Sequence, residues 1–494
     1  MLATLPYILS FLVIATTYWI YRWRNPPCRG KLPPGSMGLP LIGESIQFSI
    51  PSRSADMPRF VKTRMEKYGP IFKTSLAGRS VIISTDPEFN NFLFQQEEKC
   101  VEFWMMDAYS KLINHTGSSK DGGTSSLGGE YHRYYRRLFL DHLGSEAVRE
   151  KLFADVVQTS IKTVNSWSTK DYVQLRSEIS KMFFEFSAKY LFSYDPEKCK
   201  VKLWEKFSEV MQALVSFPVR IPGTPFYRAF KIHREIIDFL MNTIKERREV
   251  PEEMRKGDCI DQVLEHMKTD PRITDEFIAI VFFGFLLGGT ESAASAFTFG
   301  MVMLQQNPVV LEQLQNESEE IIRKRENGQS ELTWNEYRSM GYTMQVINEI
   351  LRTAGPVAAI LRRTIKEVNF KGYTIPEDWV ILITANGTHL SPEHYEDPLV
   401  FNPSRWKDSL TNKNFMPFGG GIRKCPGAEL TKAIFAVLLH LLVTKYSSDS
   451  MNLKTNHIPT AWISQVECQG GEIVRTSLLL GFGEGYRMTV SARS

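Results

Sequence analysis

Cysteine is scarce in this sequence. Six residues among 494 (Cys28, Cys100, Cys199, Cys259, Cys425 and Cys468) lie far apart, and none belongs to a CxxC pair. That spacing signals neither a zinc site nor a redox dithiol and suits a reducing compartment, where most thiols act as small buried apolar groups. An excess of one charge is missing too: the net charge of +4, evenly spread, does not single out nucleic acid as a partner. Neither GxxxxGK[ST] nor GxGxxG occurs, which removes the usual phosphate-cradling and dinucleotide loops. No Pro/Ser-rich linker, repeat or low-complexity tract divides the chain after residue 50. With 43% apolar and 12% aromatic residues, the chain from 38 to 494 reads as one large domain, although length alone would allow about three.

Charge is also absent from the N-terminus. Leu2 to Tyr21 carries none and matches the roughly 20 residues that a helix needs to cross a bilayer. Arg22, Arg24, Arg29 and Lys31 follow it and no Lys or Arg precedes it, so the positive side, with the rest of the protein, is expected in the cytosol. A cleaved signal is the alternative; the missing basic n-region and small-residue cleavage site argue against it, and only then would the sequons at Asn114, Asn316 and Asn386 be glycosylated. Pro26-Pro27 and Pro33-Pro34-Gly35 make a stiff connector, because proline removes donors and fixes φ. The organisation is therefore an anchor over 1–21, a basic, proline-rich hinge over 22–37, and the body from 38.

The body reads as mainly helical with small sheets. Residues 70–86 form two β-rich runs around Ala77-Gly78, a hairpin, and 366–384 and 472–491 supply further short strands. Helical spacing of apolar residues marks 201–215, 226–248 and 429–446. The Gly/Ser-rich stretch 117–130 and the charged stretch 249–258 are expected to be mobile.

Three segments carry chemistry. Residues 275–306 form a helix apolar on all sides, capped by Thr274 and stopped by Asn307-Pro308, in which Glu291 is the only ionisable group from Phe277 onward. Gly288-Gly289 before it permits a local distortion and Ser292 after it supplies a hydroxyl. Acid beside alcohol in a core helix suggests proton delivery to a buried site; a paired structural acid is the plain alternative. In 333–352, Thr333 and Glu336 form a capping box, and Glu349 and Arg352 stand i,i+3 on one helical face among apolar neighbours. Such a pair is usually an ordinary surface contact, but if it is buried it needs a third charged group, which Arg405 could supply. In 415–430 (FMPFGGGIRKCPGAEL), Cys425 follows Arg423 and Lys424 and precedes a helix N-terminus, the surroundings that lower a thiol pKa and make a metal-ligating thiolate. Gly419, Gly420 and Gly421 leave room for a flat macrocycle against the backbone.

These segments together resemble the cytochromes P-450. Phe418 to Gly427 (FGGGIRKCPG) is similar to the heme-binding signature, Glu349-Ile350-Leu351-Arg352 to ExxR, Phe401 to Trp406 (FNPSRW) to the meander motif and Gly288 to Ala293 (GGTESA) to the oxygen-activation motif, all in the family's order. The resemblance implies the family's fold, heme b with Cys425 as axial thiolate, and monooxygenation using O2 and electrons from NADPH. It also implies heme contacts by Phe418, Gly427, His132, Arg136, Arg423 and Arg362, with Arg363 as the neighbouring register, and proton delivery by Glu291 and Ser292. Ser292 and Ala293 depart from the family's usual threonines; serine keeps the hydroxyl but lacks the methyl that restricts its rotamers. With no nicotinamide or flavin motif present, electrons are expected from NADPH-cytochrome P-450 reductase at the endoplasmic reticulum membrane, docking near Lys413, Arg423, Lys424 and Lys432. The stretches KLPPGSMGLPLIGES, YGPIFKTSLAGR and INEILR look like the plant clan that oxidises sterols and triterpenoids, including sterol side-chain cleavage. Phe103, Met106, Leu287, Val357 and Ile360, with the neighbours Trp104, Met105, Leu286, Ala358 and Ala359, are candidate walls for such an apolar substrate. A reductase-independent hydroperoxide isomerase or dehydratase of the same fold and a non-catalytic heme- or steroid-binding protein are the other readings. The acid-alcohol pair and a cysteine loop without insertion argue against the first.

Overall fold

Helices start where the sequence supplies an acceptor for their free amides. In the computed structural model, which describes residues 5–106, 110, 128–214, 219–325, 331–357, 359–407, 414–444, 466–476, 480–483 and 485–490, Thr274 accepts from the Phe277 amide at the head of Asp275–Gln306. Thr224 does the same for Tyr227 at the head of Pro225–Glu249, and Thr333 and Glu336 cap Trp334–Ser339 reciprocally. Asp275–Gln306, the core helix, runs without interruption through Gly288-Gly289, so the distortion those glycines permit is not used. It packs against the helices Leu175–Phe192, Pro225–Glu249 and Gly341–Ala354. At Gly300 it comes so close to Ile350 that a Cβ would strike that side chain, which is why glycine sits there despite its poor helix propensity.

Among the described residues there are twelve short strands: β1 (Ile71–Leu76), β2 (Arg79–Ser84), β3 (Val101–Phe103), β4 (Val173–Gln174), β5 (Ile360–Thr364), β6 (Val368–Phe370), β7 (Tyr373–Ile375), β8 (Val380–Ile383), β9 (Val466–Gly470), β10 (Ile473–Arg475), β11 (Leu480–Phe482) and β12 (Tyr486–Val490). β1 and β2 form the expected hairpin, with Leu76 opposite Arg79 and Ala77 and Gly78 both at positive φ. They belong to a five-stranded sheet in the order β1-β2-β8-β5-β3, in which only β2 and β8 run parallel. The sheet matters for the site because β5 carries Arg362 beside Phe103 of β3.

Two expectations need correction or a narrower reading. The charged stretch 249–258 is pinned: its Asp258, with Asp261, holds the buried Arg247 at 2.8 and 2.9 Å. Only the end of 117–130 lies among the described residues, where a helix starts at Gly129. At the N-terminus, Leu5–Arg24 is a 20-residue helix with Tyr7, Phe11 and Ile14 exposed. Its proline, three tyrosines and two threonines dilute its hydropathy, and among the described residues only the half-buried core helix is long and apolar enough to cross a bilayer.

One buried cation ties three segments together. Arg475, at the end of β10, donates to the carbonyls of Ala55 (3.1 Å), Ala354 (2.6 Å) and Thr353 (2.5 Å), and its own backbone pairs both ways with Ser52. The last two acceptors close the C-terminus of Gly341–Ala354, the negative end of the helix dipole, which suits a guanidinium. Burial still lowers this group to about 10.

Candidate active site

The core helix is open on one side. Gly284 and Gly288 are accessible although Phe283, Leu286 and Thr290 around them are buried, and a Cβ added at Gly284, Gly288 or Gly289 meets no atom within 4 Å. Small residues therefore leave space along this stretch. Ser292, one turn on, turns its hydroxyl back to the Gly288 carbonyl at a long 3.4 Å, so it stands beside that space. Glu291 faces elsewhere. Its carboxylate pairs with Arg176 Nη2 at 2.6 Å and accepts from Ser180 Oγ at 3.3 Å, both on the Leu175–Phe192 helix. Arg176 is 42% exposed, so the acid is linked to solvent through it. Sequence reasoning found the acid but not Arg176, which had no spacing to mark it.

The cysteine loop lies across from this helix, joined to it by Phe139, whose ring meets Phe285 edge-on with centroids 4.9 Å apart and reaches within 3.8 Å of a Cβ built at Gly427. Cys425 donates its amide to the Phe418 carbonyl at 2.9 Å just before the helix Ala428–Thr444 begins. The residue has accessible surface yet is crowded by protein, the signature of a side chain that lines an internal space. Burial pushes its thiol up, opposed by the Gly427 amide and by Arg136. The sequence expectation placed Arg423 and Lys424 at the thiol; in the structure Arg423 is engaged by Glu97, and Lys424 is exposed. The glycines also have another reason. A Cβ at Gly420 or Gly421 would overlap Phe94, so the chain packs on its own phenylalanine there.

Beside the loop sits a cluster rich in positive charge. Arg362 Nε and Arg423 Nε both donate to the buried carboxylate of Glu97, at 2.5 and 2.7 Å. Arg136 donates to the Lys424 carbonyl at 2.6 Å. His132 is buried, its Nδ1 has no hydrogen-bond partner among the described residues, and its pKa is lowered to about 4 by burial and then by Arg423, Arg136, Arg362 and Arg133. The two neighbouring arginines differ in direction: Arg362 points inward to Glu97, whereas Arg363 pairs with Glu102 and Asp378 nearer the surface. Glu97 was missed in the sequence, because an acid in QQEEK at a helix end looks solvated.

The third predicted constellation is a closed one. Arg352 Nη2 and Nε hold Glu349 at 2.7 and 2.9 Å with both side chains fully buried, and Arg405 Nε reaches the same carboxylate at 3.0 Å. The Asn402 amide (3.0 Å) and Trp406 Nε1 (2.9 Å) complete Glu349, and Arg352 also donates to the carbonyls of His389 and Pro398. A buried pair stripped of such partners would be costly; this one has them all.

The proposed wall residues are spread around these features. Phe103 lies under Arg423, 5.1 Å from ring centroid to guanidinium, and Ile360 comes within 3.3 Å of a Cβ built at Gly419. Val357 is 47% exposed, Leu287 is half-buried on the core helix and Met106 packs on the sheet. Of the expected docking cations, Lys424 is exposed and Lys413 lies outside the described residues. Arg423 and Lys432 do not fit that role: Arg423 is engaged by Glu97, and Lys432 lies over the Phe418 ring, where burial lowers its pKa.

Comparison with known proteins agrees with this arrangement. A family model described as Cytochrome P-450 matches residues 33–466. The chain is 38% identical to beta-amyrin 16-alpha-hydroxylase of Maesa lanceolata over 98% of each chain. It is 39% identical to cucurbitadienol 11-hydroxylase of Siraitia grosvenorii (87% of this chain, 90% of that one) and 32% identical to cholesterol 16,22-dihydroxylase of Trigonella foenum-graecum (90% and 93%). Among solved structures, a retinoic acid-bound cyanobacterial protein superposes with a TM-score of 0.75 at 23% identity, covering 94% of this chain and 99% of that one, a likeness of fold. The chain belongs to the cytochrome P-450 family, and it is an oxidoreductase of that family's monooxygenase type.

Proposed function

We propose that the protein hydroxylates a large apolar sterol or triterpenoid at a heme held by Cys425. The observation that carries this reading is the surplus of cations gathered beside the cysteine loop: Arg136, the nearly buried Arg423 and the buried Arg362 surround His132, with the interior carboxylate of Glu97 between the last two. A dianionic, flat ligand fits that surplus, and heme b with its two propionates is such a ligand. The open flank of the core helix at Gly284 and Gly288 would leave room for such a ligand.

In this reading Arg136, Arg362 and Arg423 hold the propionates, with His132 as a neutral neighbour, and Phe418 and Gly427 frame the sulfur. The Gly427 amide donates to Cys425 and tempers its charge. When bound, heme supplies dioxygen activation, assisted by the electron-rich thiolate. Ser292 orients a proton beside the Gly288 carbonyl, and its neighbour Glu291, itself partly exposed and held by Arg176 and Ser180, exchanges protons with solvent. Phe103, Met106, Leu287, Val357 and Ile360 exclude water and shape the substrate space. The names of the relatives support a triterpene or sterol skeleton. The exposed apolar helix Leu5–Arg24, ending in Arg22 and Arg24, serves as the anchor to the endoplasmic reticulum membrane with the catalytic domain in the cytosol. NADPH-cytochrome P-450 reductase delivers the electrons there.

The test is to purify the protein, record its reduced carbonyl spectrum, and incubate it with reductase, NADPH and a panel of sterols and triterpenes. A thiolate-type spectrum and oxygenated product are expected, both abolished in Cys425→Ala. An unchanged spectrum in that variant refutes the ligand assignment, and product formed without NADPH favours the hydroperoxide-isomerising alternative.

A further inference from the structure

Resting on the heme reading above, we propose that Glu97 is a positioning residue that remains as a fixed internal counter-anion beside the bound heme, holding Arg362 and Arg423 in place and balancing the cradle's charge. Three observations carry this. The carboxylate is nearly inaccessible, with a side-chain exposure of 3%, so it was built into the interior. It bridges two guanidinium groups from distant parts of the chain, one on β5 and one in the cysteine loop, and grips both at Nε rather than at the terminal fork. Its own segment is fixed independently: Phe94, three residues earlier, abuts Gly420 and Gly421, and Glu97 bridges to Val101 at the start of β3. The anion therefore moves with the loop that carries Cys425.

Charge arithmetic gives the function. The cradle offers three cations in Arg136, Arg362 and Arg423, and two propionates would neutralise two of them. Glu97 supplies the third negative charge, so the loaded site would be balanced, where otherwise one positive charge would remain uncompensated in the cradle. A fixed anion near the iron favours the ferric over the ferrous state, because the ferric state carries more positive charge.

The experiment is spectroelectrochemical titration of the purified heme-loaded protein and of its E97Q and E97D variants, with the carbonyl spectrum recorded for each. A more positive midpoint potential is expected in E97Q with the thiolate-type spectrum kept, and a potential near that of the parent protein in E97D, which restores the charge. An E97Q potential equal to the parent's, with intact spectrum, overturns the inference while leaving the heme reading standing; a parent protein without the pigment overturns both. Should E97Q fail to retain heme, E97D, which keeps the charge, is expected to retain it. An E97D protein that retains no more heme than E97Q refutes the charge balance.

Discussion

Two clusters in this molecule are built from the same parts, one glutamate and two arginines, and they end differently. Around Glu349 the surplus positive charge of Arg352 and Arg405 is met by backbone carbonyls, and both carboxylate oxygens are fully engaged. Around Glu97 the surplus grows instead, because Arg136 and a neutral, partly unsatisfied His132 join Arg362 and Arg423. A saturated knot specifies a fold. A knot left positive and next to an internal thiol specifies a ligand, and the difference between the two could not be read from residue types alone.

Removing the acid from the closed knot should have the largest effect. Glu349→Gln leaves Arg352 buried without its anion and is expected to cost about 3–5 kcal/mol, as broken buried pairs do; loss of soluble protein, or a large drop in the urea midpoint, checks it. Arg362→Gln in the open cluster should leave the fold standing but speed heme transfer to a scavenging apoprotein by about tenfold, the equivalent of roughly 1.4 kcal/mol. If the two variants lose stability equally and heme equally, the contrast is void. Ser292→Ala should act on neither cluster: an unchanged melting temperature with several-fold less product per NADPH is expected, and unchanged coupling removes Ser292 from the proton path.

The remaining test is of pH. His132 and His440 are lowered to about 4 and His389 to about 3, each mainly by burial, whereas the unfolded chain takes up these protons near 6.5. Between those values the unfolded state binds more protons, so stability rises with pH through this window and falls on acidification. His389 should contribute most clearly, since its Nε2 accepts from the Met416 amide at 3.0 Å and cannot do so once protonated. Thermal melts from pH 7 down to pH 4 test this; a flat profile means these rings are not neutral in the fold.

Motifs with fixed spacing were legible in the sequence. The capping box, the hairpin at Ala77-Gly78, the core helix with both its ends, and the Glu349–Arg352–Arg405 set all follow from local pattern or from a cation that a buried acid requires. What stayed hidden depends on long-range placement. Arg176 and Glu97 act across 115 and 265 residues of chain, and nothing local distinguishes them from surface charges. The surroundings of Cys425 stayed hidden for the same reason: adjacency to Arg423 in sequence says nothing of Arg423 being held by an acid from elsewhere.

Arg475 carries a mechanical consequence. Because its three acceptors are the carbonyls of Ala55, Thr353 and Ala354, the segment at Ala55, the hairpin of β10 and β11, and the C-terminal turn of Gly341–Ala354 are fastened to one another. The end of the helix that carries Glu349 and Arg352 is therefore held by a part of the polypeptide 420 residues from Arg475 along the chain.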